Sequence, residues 1–156
     1  MISGNETFTR REIMRASTWT FVKASWKGGT RFVVENRDGG RLTLVARPPD
    51  GDTHRHFSMV DAFISSLASC TGTNVILLLD ESGVTPRSFT VKAECVFRHD
   101  EPRVFEKIHL IFLVSGDIGE DVVREAVRRS VTAVCPIAVT LGRSVGITWD
   151  LRMKRK

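Results

Sequence analysis

Residues 59–80 read MVDAFISSLASCTGTNVILLLD, and they decide how this chain of 156 residues can fold. Ser58 suits the N-cap position and the acidic Asp61 follows three residues later, a pattern that opens a helix. Gly83 and Pro86 mark its end. Apolar side chains cover nearly the whole circumference of this predicted helix, so we expect it to be buried on all sides. In a chain this short, such burial indicates a place between sheets or at a subunit interface.

Alternating apolar and polar residues on both sides of the helix predict strands. The predicted strands cover residues 19–26, 31–35, 41–46, 89–98, 105–114 and 145–151. Two further helices are predicted over residues 120–134 and 136–141, separated because the residue before Pro136 avoids the helical region. The order βββ-α-ββ-α-α-β predicts an α+β protein with antiparallel sheet. We expect one domain over residues 18–156, preceded by a loosely attached arm at residues 1–17.

Composition and charge narrow the classes of function. The formal net charge is +5, but the basic residues are scattered except for a C-terminal run from Arg152 to Lys156. That run is typical of a solvated tail, and a nucleic-acid partner is the weaker alternative. The start of the chain has no apolar segment typical of a signal peptide, and the strongly apolar run Val75–Leu79 is too short to span a membrane. We therefore expect a soluble, cytoplasmic protein without membrane contact.

Three cysteines in a reducing compartment do not form a disulfide framework, so each needs its own explanation. Cys95 alternates with apolar residues in a predicted strand, which indicates a core position. Cys70 lies among small polar residues that are poor choices inside a helix, which fits either close helix packing or a pocket around the sulfur. Cys135 precedes Pro136 at a helix break. The dipole of the following helix would lower the pKa of this thiol, and the alternative is a buried cysteine at a bend.

Other catalytic and metal sites are not indicated. His54 and His56 are spaced so that both could point one way in an extended segment, but no CxxC pair accompanies them, so we expect no metal. The G-x-S-x-G elbow of many hydrolases is also absent from the sequence.

Three segments resemble the OsmC/Ohr family, the osmotically induced and organic-hydroperoxide-resistance proteins. They are residues 61–75 (DAFISSLASCTGTNV), residues 130–141 (SVTAVCPIAVTL) and the strand pair marked by Pro102, Phe105 and Gly116. The resemblance extends over about residues 19–151. It implies antiparallel sheets wrapped around central cysteine-bearing helices in an intertwined homodimer.

The resemblance also implies thiol peroxidase chemistry on an organic hydroperoxide or hydrogen peroxide. Cys70 would attack the peroxide as a thiolate and become a sulfenic acid, and Cys135 would condense with it to a disulfide. An external dithiol, of the lipoyl type in the hydroperoxide-resistance branch, would reduce the pair, and no bound cofactor is implied. The alternative is a non-catalytic protein that binds a small ligand in an apolar pocket at the dimer interface.

The chain departs from the family pattern at the groups that would activate Cys70. Asp61 matches the family glutamate by position, but nine helical residues place it about 13 Å along the axis and on the opposite side of the helix. Arg31 resembles the arginine of the family's Gly-Gly-Arg turn, offset by one residue, and we favour it as the activating cation. The remaining candidates for that cation are Arg37, Arg47 and Arg55. Asn74 replaces an aspartate, and Val134 replaces an aromatic residue.

Overall fold

The computed structural model describes residues 20–46 and 56–154. The chain divides into two compact units, residues 1–59 and residues 60–156, and each contains one three-stranded sheet. Several sequence predictions lie outside the described residues: the arm at residues 1–17, Arg47, His54 and Arg55.

The N-terminal unit contains an antiparallel sheet of β1 (Val22–Trp26), β2 (Arg31–Asn36) and β3 (Arg41–Val45). Gly28 and Gly29 make the first turn with φ angles of 94° and 53°, a region that favours glycine. In the second turn, Asn36 Oδ1 accepts hydrogen bonds from the backbone N–H groups of Asp38 and Gly40 at 3.0 and 2.7 Å. The three strands predicted in this part of the chain are confirmed.

The C-terminal unit is built on the long helix α1 (Met59–Glu81). The strands β4 (Ser88–Phe97) and β5 (Phe105–Ser115) follow, then α2 (Glu120–Arg129), α3 (Pro136–Leu141) and β6 (Gly146–Lys154). The sheet order is β4-β5-β6. The mixed α+β class is as predicted.

The last strand corrects part of the prediction of antiparallel sheet. β4 pairs with β5 in antiparallel fashion, but β6 pairs with β5 in parallel. The segment between β5 and β6 contains α2 and α3, which is long enough for the chain to return to the end of the sheet from which β5 began.

The second predicted helix, residues 120–134, is also corrected. α2 ends at Arg129, and Ser130–Val134 form a π-helical turn. The backbone N–H of Cys135 closes this turn by donating to Ser130 O at 2.9 Å, five residues back. π-turns of this kind are frequent at functional sites.

The core of the C-terminal unit lies between α1, the sheet and α2. Leu67, Val75 and Leu79 of α1 are fully buried, together with Phe112 of β5 and Val127 of α2. Burial of such side chains contributes about 1.5–3 kcal/mol each.

The prediction that α1 is buried on all sides is wrong for the single chain, because one side of the helix is exposed. Ile76 is 37% exposed and Leu77 55% exposed, and Met59, Val60 and Phe63 are exposed as well. The described residues of a single chain therefore leave part of this apolar helix uncovered.

With 23 residues, α1 is also long and apolar enough to cross a membrane, by length and composition alone. The run Val75–Leu79, which is too short to span a membrane, is only part of this helix. Leu67, Val75 and Leu79 are fully buried against other protein groups, and a helix that packs in a protein core meets the same two criteria.

Gly72 allows α1 to approach β4 closely. A Cβ atom at this position would lie 3.1 Å from Val91 Cγ2 and 3.3 Å from Phe89 Cε1. We therefore expect Gly72→Val to lower the free energy of unfolding by about 1–3 kcal/mol through overpacking, measured by denaturant titration.

The matched control is Thr73→Val, which places the same side chain on the next, exposed residue of α1. This change should alter stability by less than about 0.5 kcal/mol. Equal effects of the two valines would contradict the close approach at Gly72.

Candidate redox-active cysteine site

Two cysteines from different elements meet in the C-terminal unit. The Sγ atoms of Cys70 and Cys135 lie 2.7 Å apart, and both cysteines are free. Cys70 is half-buried in the middle of α1, whereas Cys135 is fully buried. A disulfide requires an S–S distance of about 2.05 Å, so only a small side-chain movement separates this thiol pair from the bonded state.

Cys135 is held at the start of α3 by its backbone. It is the N-cap residue, with an extended conformation (φ −72°, ψ 113°) that suits a residue before proline. Its Sγ accepts a hydrogen bond from the backbone N–H of Ala138 at 3.4 Å. The proline break therefore fixes the direction in which the Cys135 side chain leaves the backbone.

A buried hydrogen bond ties the Cys135 segment to the Cys70 segment. Ser130 Oγ donates to Thr71 O at 2.8 Å, and both residues are fully buried. Thr71 follows Cys70 directly, and Ser130 O accepts the backbone N–H of Cys135. Ser130 therefore connects the backbones that carry the two thiols.

Sequence reasoning did not identify Ser130 as a structural residue of the site. The signal was present, because Ser130 continues the apolar stripe of Val123, Ala126 and Val127 at helical spacing. A polar residue on a buried stripe requires a hydrogen-bond partner.

The electrostatic environment of Cys135 corrects the prediction of a lowered pKa. Burial and the neighbouring Cys70 thiol raise the pKa of Cys135 to about 11. The backbone N–H groups of Ala138 and Ile137 act in the opposite direction, as the dipole argument expected, but with less effect. At neutral pH Cys135 is therefore a protonated thiol, and it donates its hydrogen to Cys70 Sγ.

Asn74 also contacts Cys70. Its Nδ2 donates to Cys70 O at 2.8 Å and lies 3.7 Å from Cys70 Sγ. The sequence marks Asn74 only as a replacement for the family's aspartate. A spacing of four residues places Asn74 on the same face of the helix as Cys70, but it does not show whether the amide forms a hydrogen bond with it.

Four hydroxyls of the small polar residues in α1 form hydrogen bonds within the helix and not with the Cys70 sulfur. The hydroxyls of Ser65, Ser66, Ser69 and Thr71 donate to carbonyls three or four residues earlier in the helix. The predicted close packing is found at Gly72, where α1 packs against the strand β4 and not against another helix.

A groove of about 520 Å³ runs beside α1. Its lining does not include Cys70. It consists of Ser65, Ala68, Ser69, Gly72, Thr73, Ile76 and Leu77 with Phe89 and Val91 of β4.

The two predicted activating residues are not brought to Cys70 within the C-terminal unit. Asp61 is exposed in the first turn of α1, and α1 is unbroken from there to Cys70. The two residues therefore remain about 13 Å apart along the helix axis. Arg31 is the first residue of β2 in the N-terminal unit, and its activating role stays a prediction.

Cys95 takes the core position that its strand pattern predicted. It is half-buried on β4, pairs across the sheet with Ile108 and packs against the hydrophobic core. It therefore provides a control thiol outside the Cys70–Cys135 pair.

Comparison with known proteins assigns the chain to one family. The family model described as OsmC-like protein matches residues 50–150, more than half of the chain. Protein YhfA of Escherichia coli K12 is 25% identical over 128 residues, which cover 81% of this chain and 92% of YhfA.

Two solved structures share the fold. An OsmC-like protein from Mycoplasma pneumoniae has a TM-score of 0.78 at 17% identity, covering 88% of this chain and 99% of that one. The organic hydroperoxide resistance protein OhrB of Bacillus subtilis has a TM-score of 0.67 at 16% identity, covering 88% of this chain and 100% of that one. At these identities the similarity concerns the fold alone.

The hydrogen bond from Ser130 to Thr71 generates the first prediction for the site. Ser130→Ala should lower the free energy of unfolding by about 1 kcal/mol, because a buried hydrogen bond is lost. In glutathione buffers the same variant should form the Cys70–Cys135 disulfide less readily, because the two backbones are no longer tied together.

Thr132→Val is the control. Thr132 lies in the same π-turn, but its exposed hydroxyl donates to Arg128 O within the helix. This variant should match the wild type in both measurements, and an equally large loss would contradict the role assigned to Ser130.

The raised pKa of Cys135 generates a prediction on stability at alkaline pH. The pKa rises from an ordinary value of 9.0 to about 11 on folding, so the protonated thiol is favoured in the folded state. This contribution is complete below pH 9 and disappears as the pH rises to about 11, with a loss of at most about 3 kcal/mol. Denaturant titrations across this range measure it.

Cys135→Ser should remove this part of the alkaline loss, and Cys95→Ser should retain it. The chain contains no tyrosine, so phenol groups do not titrate in this range. Identical alkaline slopes in the wild type and Cys135→Ser would show that the burial of Cys135 does not favour the protonated thiol.

Proposed function

Because the chain belongs to the OsmC-like protein family, we propose that it is a thiol-dependent peroxidase that reduces organic hydroperoxides or hydrogen peroxide. The observation that carries the proposal is the 2.7 Å separation of Cys70 Sγ and Cys135 Sγ. The structural similarity to proteins described as organic hydroperoxide resistance proteins supports it at the level of the family.

In the proposed first step, the Cys70 thiolate attacks one oxygen of the peroxide. The O–O bond breaks, the other oxygen leaves as an alcohol or water after taking up a proton, and Cys70 becomes a sulfenic acid. In the second step, Cys135 sulfur attacks Cys70 sulfur. A disulfide forms, and the sulfenic oxygen leaves as water with the proton of the Cys135 thiol.

An external dithiol completes the cycle in the proposal. Two thiol–disulfide exchanges return Cys70 and Cys135 to thiols and oxidise the dithiol, a lipoyl-type compound by resemblance. The net reaction converts one hydroperoxide and one dithiol into an alcohol, water and a disulfide. The protein needs no bound cofactor or metal in this scheme, and we propose that it acts in the cytoplasm.

The different surroundings of the two cysteines support their assigned roles. Cys70 is partly exposed, whereas Cys135 is fully buried and its pKa is raised to about 11. A peroxide therefore has access to Cys70 first. Cys135 remains a thiol in contact with Cys70 until a sulfenic acid forms there.

We further propose that the active form is a homodimer. Ile76, Leu77 and Phe63 leave an apolar side of α1 exposed in the single chain, and a second copy would cover it. Arg31 and Asp61 would then act on Cys70 from the assembled dimer, Arg31 as the cation beside the thiolate and Asp61 as the carboxylate that orients it.

The groove of about 520 Å³ beside α1 favours a second candidate function, the binding of a small apolar ligand without catalysis. In that case Cys70 would react with alkylating agents only as an ordinary, unactivated thiol does, and the protein would not consume peroxide.

Cysteine variants test the proposed reaction through consumption of cumene hydroperoxide in the presence of dithiothreitol. Cys70→Ser should reduce the rate to that of buffer, because the attacking sulfur is missing. Without reductant, Cys135→Ser should consume one equivalent of peroxide and retain a Cys70 sulfenic acid that dimedone captures.

Cys95→Ser should keep the wild-type rate, since Cys95 lies outside the thiol pair. Wild-type activity in Cys70→Ser would exclude the proposed reaction. A wild-type protein that does not consume peroxide would favour the binding function.

A further inference from the structure

We propose that the side-chain amide of Asn74 is a catalytic hydrogen-bond donor that stabilises the thiolate form of Cys70. The inference rests on the proposed peroxidase function for its biological meaning, but it concerns a contact that exists without peroxide. Asn74 Nδ2 lies 3.7 Å from Cys70 Sγ, the atom that would react.

The orientation of the amide follows from its second contact. Asn74 Nδ2 is 2.8 Å from Cys70 O, and a carbonyl oxygen can only accept a hydrogen bond. The nitrogen, and not the amide oxygen, therefore faces Cys70. One of its two N–H groups is used by the carbonyl, and the other is available to the sulfur.

The position of Asn74 on α1 holds its amide beside Cys70 Sγ. Residues four apart lie on the same face of a helix, so Asn74 lies one turn beyond Cys70 and its side chain reaches back along the axis. The bond to Cys70 O fixes the amide beside Sγ. A donor that is already oriented does not have to be ordered when the sulfur ionises.

Ionisation of Cys70 should strengthen the contact. Hydrogen bonds to a charged acceptor are shorter and roughly twice as strong as those between neutral groups. The observed 3.7 Å separation describes the thiol, and attraction to a thiolate would draw the N–H group closer.

Among the residues that the structure describes, two side chains form hydrogen bonds with Cys70 Sγ: Cys135 and Asn74. The titratable one is Cys135, contributed by the segment that leads into α3, and its raised pKa keeps it protonated. Asn74 is the partner whose donor does not depend on pH. Cys135 leaves this arrangement when it becomes the second sulfur of the disulfide, whereas Asn74 remains.

A purely structural role is the alternative to test. In that case the bond from Asn74 to Cys70 O would stabilise the helix, and replacement of Asn74 would lower stability without changing the ionisation of Cys70. The two roles differ in the pH dependence of thiol alkylation, because only the thiolate reacts.

The experiment follows iodoacetamide alkylation of Cys70 against pH in the full-length protein, with the Cys70 peptide quantified by mass spectrometry. Asn74→Asp keeps the shape of the side chain but replaces the donor by a carboxylate. It should raise the midpoint pH of Cys70 alkylation by about one unit, which lowers the rate about tenfold at a fixed pH below the midpoint. Asn74→Ala should shift the midpoint in the same direction by less.

Ser66→Ala is the matched control, one helical turn before Cys70. The Ser66 hydroxyl donates to Ala62 O and not to the sulfur, so this variant should keep the wild-type midpoint. Thermal unfolding of each variant identifies any loss of the fold, and Asn74→Ala decides the question if Asn74→Asp does not fold. An unchanged midpoint in a folded Asn74 variant would overturn the inference.

Peroxide consumption is measured in parallel so that the two proposals can fail separately. A wild type that does not consume peroxide, combined with a shifted midpoint in Asn74→Asp, would reject the peroxidase function and retain the role of Asn74. An active wild type with an unshifted midpoint would reject the role of Asn74 alone.

Discussion

The contact between the middle of α1 and the π-turn before α3 is the constraint on which the site depends. Ser130 Oγ donates to Thr71 O in a fully buried hydrogen bond, and the same serine accepts the backbone N–H of Cys135 through its carbonyl. These two bonds place Cys135 opposite the turn of α1 that carries Cys70. Since the two cysteines are 65 residues apart in the chain, only the tertiary structure brings their sulfur atoms together.

The same burial that brings the thiols together makes them unequal. Cys135 lies fully within the core, which raises its pKa to about 11, while Cys70 retains partial exposure and an amide donor from Asn74. Two thiols with identical surroundings would compete for the same role. Here the protonated, buried thiol lies 2.7 Å from the accessible one, an arrangement that fits the proposed attack by Cys70 and resolution by Cys135.

Much of the fold could be predicted because local patterns determine it. The apolar run over residues 59–80 corresponds to α1 (Met59–Glu81), and β1 to β3 lie where alternating residues predicted strands. The parallel pairing of β6 with β5 could not be predicted from strand patterns, since it depends on the path of the chain through α2 and α3. The π-turn at Ser130–Val134 was missed because its sequence is also compatible with an α-helix.

For the site, the family resemblance implied the pairing of Cys70 with Cys135, whereas their electrostatics required the tertiary structure. The backbone N–H groups at the start of α3 lower the pKa of Cys135, as the sequence predicted. Burial raises this pKa by more, and burial depends on contacts that are distant in sequence. The helical spacing of Ser130 marks it as buried, but it does not reveal that its partner is Thr71, and the contact of Asn74 with Cys70 Sγ depends on how the side chain is oriented. The roles of Arg31 and Asp61 remain predictions.

The central claim, that Cys70 and Cys135 form one redox pair, is tested most directly by peptide mapping after a single oxidation. The reduced protein receives one equivalent of cumene hydroperoxide, remaining thiols are blocked, and the disulfide-linked peptides are identified by mass spectrometry. The account predicts a disulfide between Cys70 and Cys135 within one chain, with Cys95 still a thiol. A disulfide that contains Cys95, or oxidation of Cys70 beyond the sulfenic acid with Cys135 unchanged, would contradict it.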